Sequence, residues 1–430
     1  MVRSFRLFCE NVVLARAAAL LIGLAPVPAL HAAEGDSWRP VWSVSPASAT
    51  ATAPLYAGQT IRQIVHASAA GSTLRLRLSQ RYGLDPVPLT AVSIGLRAEG
   101  AAIRPGSLRP VTFGGSRAVG LAAGQTRYSD PIALNIAQFE DLVISYTVTR
   151  YVGQATGHPI ARERSYNSVA AQAADQTSAS SYLRSSSGNA VAYVLIEAVE
   201  AQTTTATRTL VAVGDSLTDG FVSQLGTTLI PETARLGLNE RYPDYLARRL
   251  AMRYPGQFTV VNAGISGNRI NAAGQVADYG PSLLSRLDAD VAEVPGVTDV
   301  ILQEGINDLG ISSSSANADA VIAGLSQAVT RLRASDLRVW LGTLMPARGK
   351  SAGLKGGVYS TAAVEQARQK VNTWIRGQQL ADGVVDFDAC TRDPADPASL
   401  NPAFDSGDHL HPNADGYRAM ADCVDLEQLR

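Results

Sequence analysis

The hydrophobic pattern of this 430-residue chain changes period near its midpoint, and that change rules out a single uniform architecture. From Trp38 to about Glu200 apolar residues recur every second position. Leu74, Leu76 and Leu78 alternate with Arg75 and Arg77, then come Val92, Ile94 and Leu96, then Leu142, Ile144, Tyr146 and Val148. Segments of this kind, broken by Gly, Pro and Ser turns, predict antiparallel strands with one buried face, arranged as an all-β sandwich. After Arg208 the apolar runs are short and continuous: Leu210–Val213, Phe258–Val261, Val300–Leu302, Val339–Leu344 and Val384–Phe387. Helical patterns separate several of them, including Asp244–Arg253 and Asp319–Ala334, the latter with Ile322, Leu325, Val329 and Leu332 on one face. Strands buried on both sides and joined by helices predict a three-layer α/β domain with a parallel sheet. Ligands of such sheets bind beyond the carboxyl ends of the strands, so the chemistry is expected there.

The N-terminus stands apart from both halves. Arg3 and Arg6, the apolar run Ala17–Ala25 and the small residues ending at Ala33 have the form of an export leader. The expected organisation is therefore a signal peptide over 1–33, a β-sandwich accessory domain over 34–200 and a catalytic domain over 201–430, with Gln202–Thr207 as the lead between them. The expected destination is secreted or periplasmic. Loss of the leader takes Cys9 with it and leaves Cys390 and Cys423, a disulfide candidate in an oxidising compartment, with two unrelated buried thiols as the alternative. No later run approaches the roughly 18 apolar residues of a membrane span. Lys and Arg number 37 against 38 Asp and Glu, without the basic excess that nucleic-acid binding requires. The expected partners exclude nucleic acid and membrane insertion; the oligomeric state is left open.

Polar residues cluster after the expected strands. The first runs into Gly214-Asp215-Ser216-Leu217-Thr218-Asp219-Gly220, which places a serine hydroxyl at the mouth of the sheet. A serine is a weak nucleophile and needs a base within hydrogen-bond reach. In the second half the only histidines are His409 and His411, in Asp408-His409-Leu410-His411. Asp408, three residues before His411, is spaced to accept its Nδ1 proton and stabilise an imidazolium. His409 adjoins Asp408 and is expected to point elsewhere, as a structural or substrate-lining residue. A tetrahedral intermediate also needs donors where negative charge develops. The second strand leads into Asn262-Ala-Gly264-Ile-Ser266-Gly267-Asn268, where Gly264 is expected to turn a backbone N–H toward the site, and the third into Gly305-Ile306-Asn307-Asp308, where the Asn307 amide is a non-titrating donor. His409 and His411 alternate about one leucine without a further ligand set, which argues against a metal site.

In this order, at strand ends, these four blocks resemble the SGNH/GDSL hydrolases, an esterase and acylhydrolase family, in its secreted type with an N-terminal β-sandwich. The resemblance covers about residues 208–427. It implies a flavodoxin-like five-stranded sheet, Ser216 as nucleophile, Asp408 and His411 as its partners, an oxyanion hole from Ser216, Gly264 and Asn307, and no metal or organic cofactor. The expected function is a secreted serine esterase acting through an acyl-enzyme on short-acyl, chiefly acetyl, esters of small molecules or polysaccharides. An acyltransferase with a sugar acceptor and a noncatalytic carbohydrate-binding surface protein are the alternatives. Phe221–Leu238, with Phe221, Leu225, Leu229 and Ile230, is expected to wall an acyl pocket or form a surface insertion.

Overall fold

The computed structural model describes residues 38–48, 54–168, 184–185, 192–203, 207–224, 227–272, 279–311, 317–349 and 358–430. The expected leader over 1–33 and part of the lead between the two regions lie outside them, as do the side chains of Leu225, Leu229 and Ile230.

In the first region the alternation of apolar and polar residues is realised as two antiparallel sheets. The principal strands are β1 (Trp38–Ser43), β2 (Thr60–His66), β3 (Gly71–Ser79), β4 (Val87–Leu96), β5 (Asp141–Val148) and β6 (Ile196–Gln202). In one sheet β6 lies between β1 and β3; in the other β5 lies between β2 and β4. Leu74, Leu76 and Leu78 of β3 and Leu142, Ile144, Tyr146 and Val148 of β5 meet in one buried apolar cluster, so the faces with the period-two pattern are the faces that pack. Arg75, on the opposite face of β3, pairs with buried Glu200 and stacks over the rings of Trp38 and Tyr128.

The second region is built on five strands: β7 (Arg208–Gly214), β8 (Phe258–Gly264), β9 (Val297–Gln303), β10 (Arg338–Gly342) and β11 (Gly383–Val385). All pair in parallel, in the order β8-β7-β9-β10-β11. Successive residues face opposite ways. Val211, Val213, Val300, Leu302, Val339 and Leu341 join a core with helices α3 (Ala318–Ala334) and α4 (Ala362–Gly377). Leu210, Ala212, Ile301 and Trp340 join a second core with α2 (Tyr242–Arg253) and α5 (Ala414–Asp422). Burial on both faces explains why these strands read as continuous apolar runs rather than alternating ones.

The two regions pack together, and Ser37–Arg430 forms one compact unit. The order of the parallel sheet leaves β8 at an edge, and β1 lies along it. Ser68 Oγ accepts a hydrogen bond from the Val260 N–H of β8 at 3.2 Å, satisfying a backbone donor on the edge. Arg81 reaches from the β-rich region to Asp290, at 3.4 Å, while holding its own Glu197 at 2.8 Å.

Cys390 and Cys423 are joined by a disulfide across a sequence separation of 33. The bridge ties the short helix after β11 to the end of α5, and the segment carrying Asp408 and His411 runs between them. A loop of this length constrains the unfolded chain by about 3–4 kcal/mol in the chain-entropy account. Replacing both cysteines with serine is expected to lower the unfolding free energy by about that amount, measured by denaturant titration of the oxidised protein against the variant. A loss below about 1 kcal/mol would show that native contacts alone fix the segment.

Candidate active site

Strand β7 ends at Gly214, and the chain turns at once into a four-residue helix α1 (Ser216–Asp219), which in chain order precedes α2. Asp215 caps this helix, its Oδ1 accepting the Leu217 N–H at 3.0 Å. Gly220 ends it in the left-handed conformation, its N–H donating to the Ser216 carbonyl at 2.9 Å. The serine hydroxyl is thereby held where the central strands end. From the other end of the chain the segment before α5 brings His411 to it: Nε2 lies 2.9 Å from Ser216 Oγ. On the far side of the ring Nδ1 lies 2.7 Å from Asp408 Oδ2. Asp408 Oδ1 accepts the backbone N–H groups of Leu410 and His411, at 3.0 and 2.8 Å, so the carboxylate is fixed by the same turn whose histidine it orients. Ser216, Asp408 and His411 are respectively 4%, 3% and 5% exposed, which places the relay in a low-dielectric setting. The ring of Phe221 packs on that of His411, centroids 4.6 Å apart.

His409 does not share this arrangement. It is half exposed, with a left-handed backbone (φ 64°), and turns its Nδ1 to Asp405 Oδ2 at 2.7 Å.

Asn307, just after β9, is buried. Its Nδ2 donates to the Asn268 carbonyl at 2.9 Å and its Oδ1 accepts the Tyr359 hydroxyl at 2.8 Å. These two bonds fix which way the amide faces, because a flipped amide would set Nδ2 against the phenolic donor and Oδ1 against a carbonyl.

Gly264 departs from its expected part. Its N–H donates to Asn262 Oδ1 at 2.8 Å, within its own loop, rather than standing as an unengaged donor. The reason for a glycine here is steric: a Cβ would fall 2.2 Å from the backbone nitrogen of Asp219, so only glycine lets α1 rest on the end of β8. The left-handed glycine of this loop is Gly267 (φ 79°), in a turn closed by the Asn268 N–H donating to the Ile265 carbonyl at 3.0 Å.

Beneath the serine sits a group of buried acids. Burial pushes Asp215 up to about 7 and Asp308 up to about 6, and raises Glu304 well above the carboxylate range, with the Asp215 charge adding to the effect on Glu304. Asp215 Oδ2 and both Glu304 carboxylate oxygens have no hydrogen-bond partner of good geometry among the described residues. Among those residues no group of three or more His, Cys, Asp or Glu side chains could hold a metal ion.

The chemistry open to this arrangement is that of a serine hydrolase: a hydroxyl in contact with an imidazole that a buried carboxylate orients. Residues 212–419 match the family model of the GDSL-like lipase/acylhydrolases; this segment is a domain of that family, a carboxylic ester hydrolase. Comparison with curated proteins returns no match. Among solved structures, a carbohydrate acetylesterase from Sinorhizobium meliloti is similar at 17% identity, covering 52% of this chain and all of its own, with a TM-score of 0.41. An acetylxylan esterase from Geobacillus stearothermophilus is similar at 22% identity over 53% of this chain and 96% of its own, with a TM-score of 0.36. The aryl esterase of M. smegmatis is similar at 19% identity over 52% of this chain and 99% of its own, with a TM-score of 0.40.

The buried acids generate a pH effect of definite sign. A carboxyl whose folded value is raised contributes stability that is present below its unfolded value, about 4, and lost as pH rises through the folded value. For Asp215 that window runs from about 4 to about 7. Glu304→Gln removes one ionisation from the group, so its melting temperature relative to the parent is expected to climb from pH 5 to pH 8. A difference that stays constant over that range would mean that Glu304 does not oppose folding through its charge.

Proposed function

We propose that the protein is an exported serine esterase that cleaves short-acyl esters through an acyl-enzyme. The observation that carries this reading is the unbroken line Ser216 Oγ–His411 Nε2 at 2.9 Å and His411 Nδ1–Asp408 Oδ2 at 2.7 Å. Ser216 Oγ attacks the ester carbonyl carbon while its proton passes to His411 Nε2. Asp408 holds the resulting imidazolium through the Nδ1–H bond. As the tetrahedral intermediate collapses, His411 returns the proton to the departing alcohol. His411 then takes a proton from water, whose oxygen attacks the acyl carbon; as the second tetrahedral intermediate collapses, the bond to Ser216 Oγ breaks, His411 returns its proton to that oxygen, and the acid leaves.

The oxyanion is held by the Ser216 N–H, the second Nδ2–H of Asn307 and a backbone donor of the 265–268 turn. With the Gly264 N–H engaged by Asn262, the reading assigns that backbone donor to Gly267, the neighbour of the residue whose carbonyl holds the Asn307 amide.

The parallel order β8-β7-β9-β10-β11 supports a flavodoxin-like catalytic domain over 201–430, with the β-rich region, over 34–200, as a sandwich accessory. Export is supported by the leader pattern in residues 1–33 and by the disulfide, and no helix among the described residues is long and apolar enough to cross a membrane. A short acyl group is favoured by the polar character of the loops that follow β8 and β9, which carry Ser266 and Asn307, and acetyl groups carried on a polysaccharide are the favoured natural form.

Ser216→Ala is expected to fold and to lose turnover by several orders of magnitude, His411→Ala to lose nearly as much, and His409→Ala to keep most activity, all measured with an aryl acetate. The reverse ranking of the two histidines would assign the base to His409. Across aryl esters from acetyl to decanoyl, kcat/KM is expected to peak at about two to four carbons. Each extra buried methylene would raise it about fourfold if a deep apolar pocket existed, so a steady rise to ten carbons would place the enzyme among lipases.

A further inference from the structure

One buried hydrogen-bonded pair joins the two regions next to the nucleophile. His158, in the short strand Gly157–His158 of the β-rich region, sends Nε2 to within 3.0 Å of Asp219 Oδ1, and both side chains are almost wholly buried. Its Nδ1 lies 2.8 Å from the Ser45 carbonyl, and Nε2 also lies 3.2 Å from the Ile160 carbonyl. Every partner of the ring among the described residues is an oxygen atom, so the imidazole is fixed from both sides, by the Ser45 carbonyl at Nδ1 and by Asp219 and the Ile160 carbonyl at Nε2. Asp219 is the last residue of α1, three positions beyond Ser216. Its other oxygen accepts both the Ser266 N–H at 3.0 Å and the Ser266 hydroxyl at 2.6 Å. Ser266 leads directly into Gly267 and Asn268, and the Asn268 carbonyl is the one that takes the Asn307 amide.

We propose that His158 is a positioning residue of the active site, supplied by the β-rich region: by clamping Asp219 it fixes the spacing between the Ser216 helix and the Ser266–Asn268 turn. The inference rests on the reading of Ser216 as nucleophile and of this turn as part of the oxyanion pocket. The clamp works through geometry. Asp219 has one oxygen for each region, and a carboxylate held on one side only can rotate away from Ser266. A shift of the turn by a fraction of an ångström moves the donors from where the oxyanion forms, which lowers kcat while leaving ground-state binding in place.

The test uses the full-length protein, with turnover of an aryl acetate expressed per serine titrated by a phosphonylating reagent, so that misfolded molecules are not counted. His158→Gln cannot donate to Ser45 and Asp219 at once; its kcat per titrated serine is expected to fall about tenfold, with KM within about twofold. Ser266→Ala, which leaves the buried pair whole, is expected to show a loss of the same kind. Asp219→Asn can keep the pattern with neutral groups, Nδ2 donating to His158 Nε2 and Oδ1 accepting from Ser266, and is expected to stay within about threefold of the parent. Unchanged kcat per serine in His158→Gln overturns the proposal, as does a loss in Asp219→Asn as large as in His158→Gln, which would make the charge rather than the position the active quantity. Should His158→Gln not fold, Ser266→Ala and Asp219→Asn decide: full activity in the first or a tenfold loss in the second overturns it. Failure of the nucleophile assignment reads differently, because Ser216→Ala would then still titrate and turn over.

Discussion

The site depends on how closely a one-turn helix can approach the ends of two parallel strands. Gly214 and Gly264 are register partners at the carboxyl ends of β7 and β8, and each is in contact with something a side chain would displace. A Cβ on Gly214 would lie 2.1 Å from the Gln303 carbonyl oxygen, and one on Gly264 would meet the backbone of Asp219. Without both glycines α1 would be lifted off the sheet, and with it Ser216. Lifted by even one ångström, the hydroxyl would lose its bond to an imidazole that comes from the far end of the chain and is fixed there by Asp408 and by the covalent bridge behind it.

The same packing creates the electrostatic burden beneath the serine. Resting α1 directly on the strand ends encloses Asp215 and Glu304, whose carboxyls lack enough donors to hold their charge, while Asp308, partly buried nearby, keeps the Ile270 N–H. Arg286, itself buried, is a cation close to Asp215 and Glu304, as Arg269 is to Asp308; it donates to the Gly214 and Ala263 carbonyls and to Asn268 Oδ1. The guanidinium thus ties both strand ends to the turn that carries Gly267, while its pair with Asp290 continues to Arg81 of the β-rich region.

Local pattern made much of this legible. Period two identified the strands that pack their alternate faces, and continuous apolar runs identified β7 to β11, because burial on one face or on two leaves a different imprint on consecutive residues. Ser216, Asp408, His411 and Asn307 could be singled out because each follows a strand or precedes the last helix at a spacing that chemistry constrains. Gly264 and Gly267 lie three residues apart in one loop, and nothing in the letters says which glycine is needed for clearance and which for a left-handed turn; that follows from what each touches. Tyr359 and His158 were not legible at all. Each meets the site through a contact, with Asn307 or with Asp219, formed between segments distant in sequence, and an isolated Tyr or His carries no mark of such a partner.

The edge position of β8 has a further consequence. A parallel sheet that ends in an uncapped strand is an invitation to intermolecular pairing, and here the neighbour that occupies that flank belongs to the other half of the polypeptide, through β1 and Ser68. The β-rich half therefore covers backbone groups that the parallel sheet by itself would leave open, so the outline of the catalytic sheet is completed by a part of the chain that contributes no strand to it.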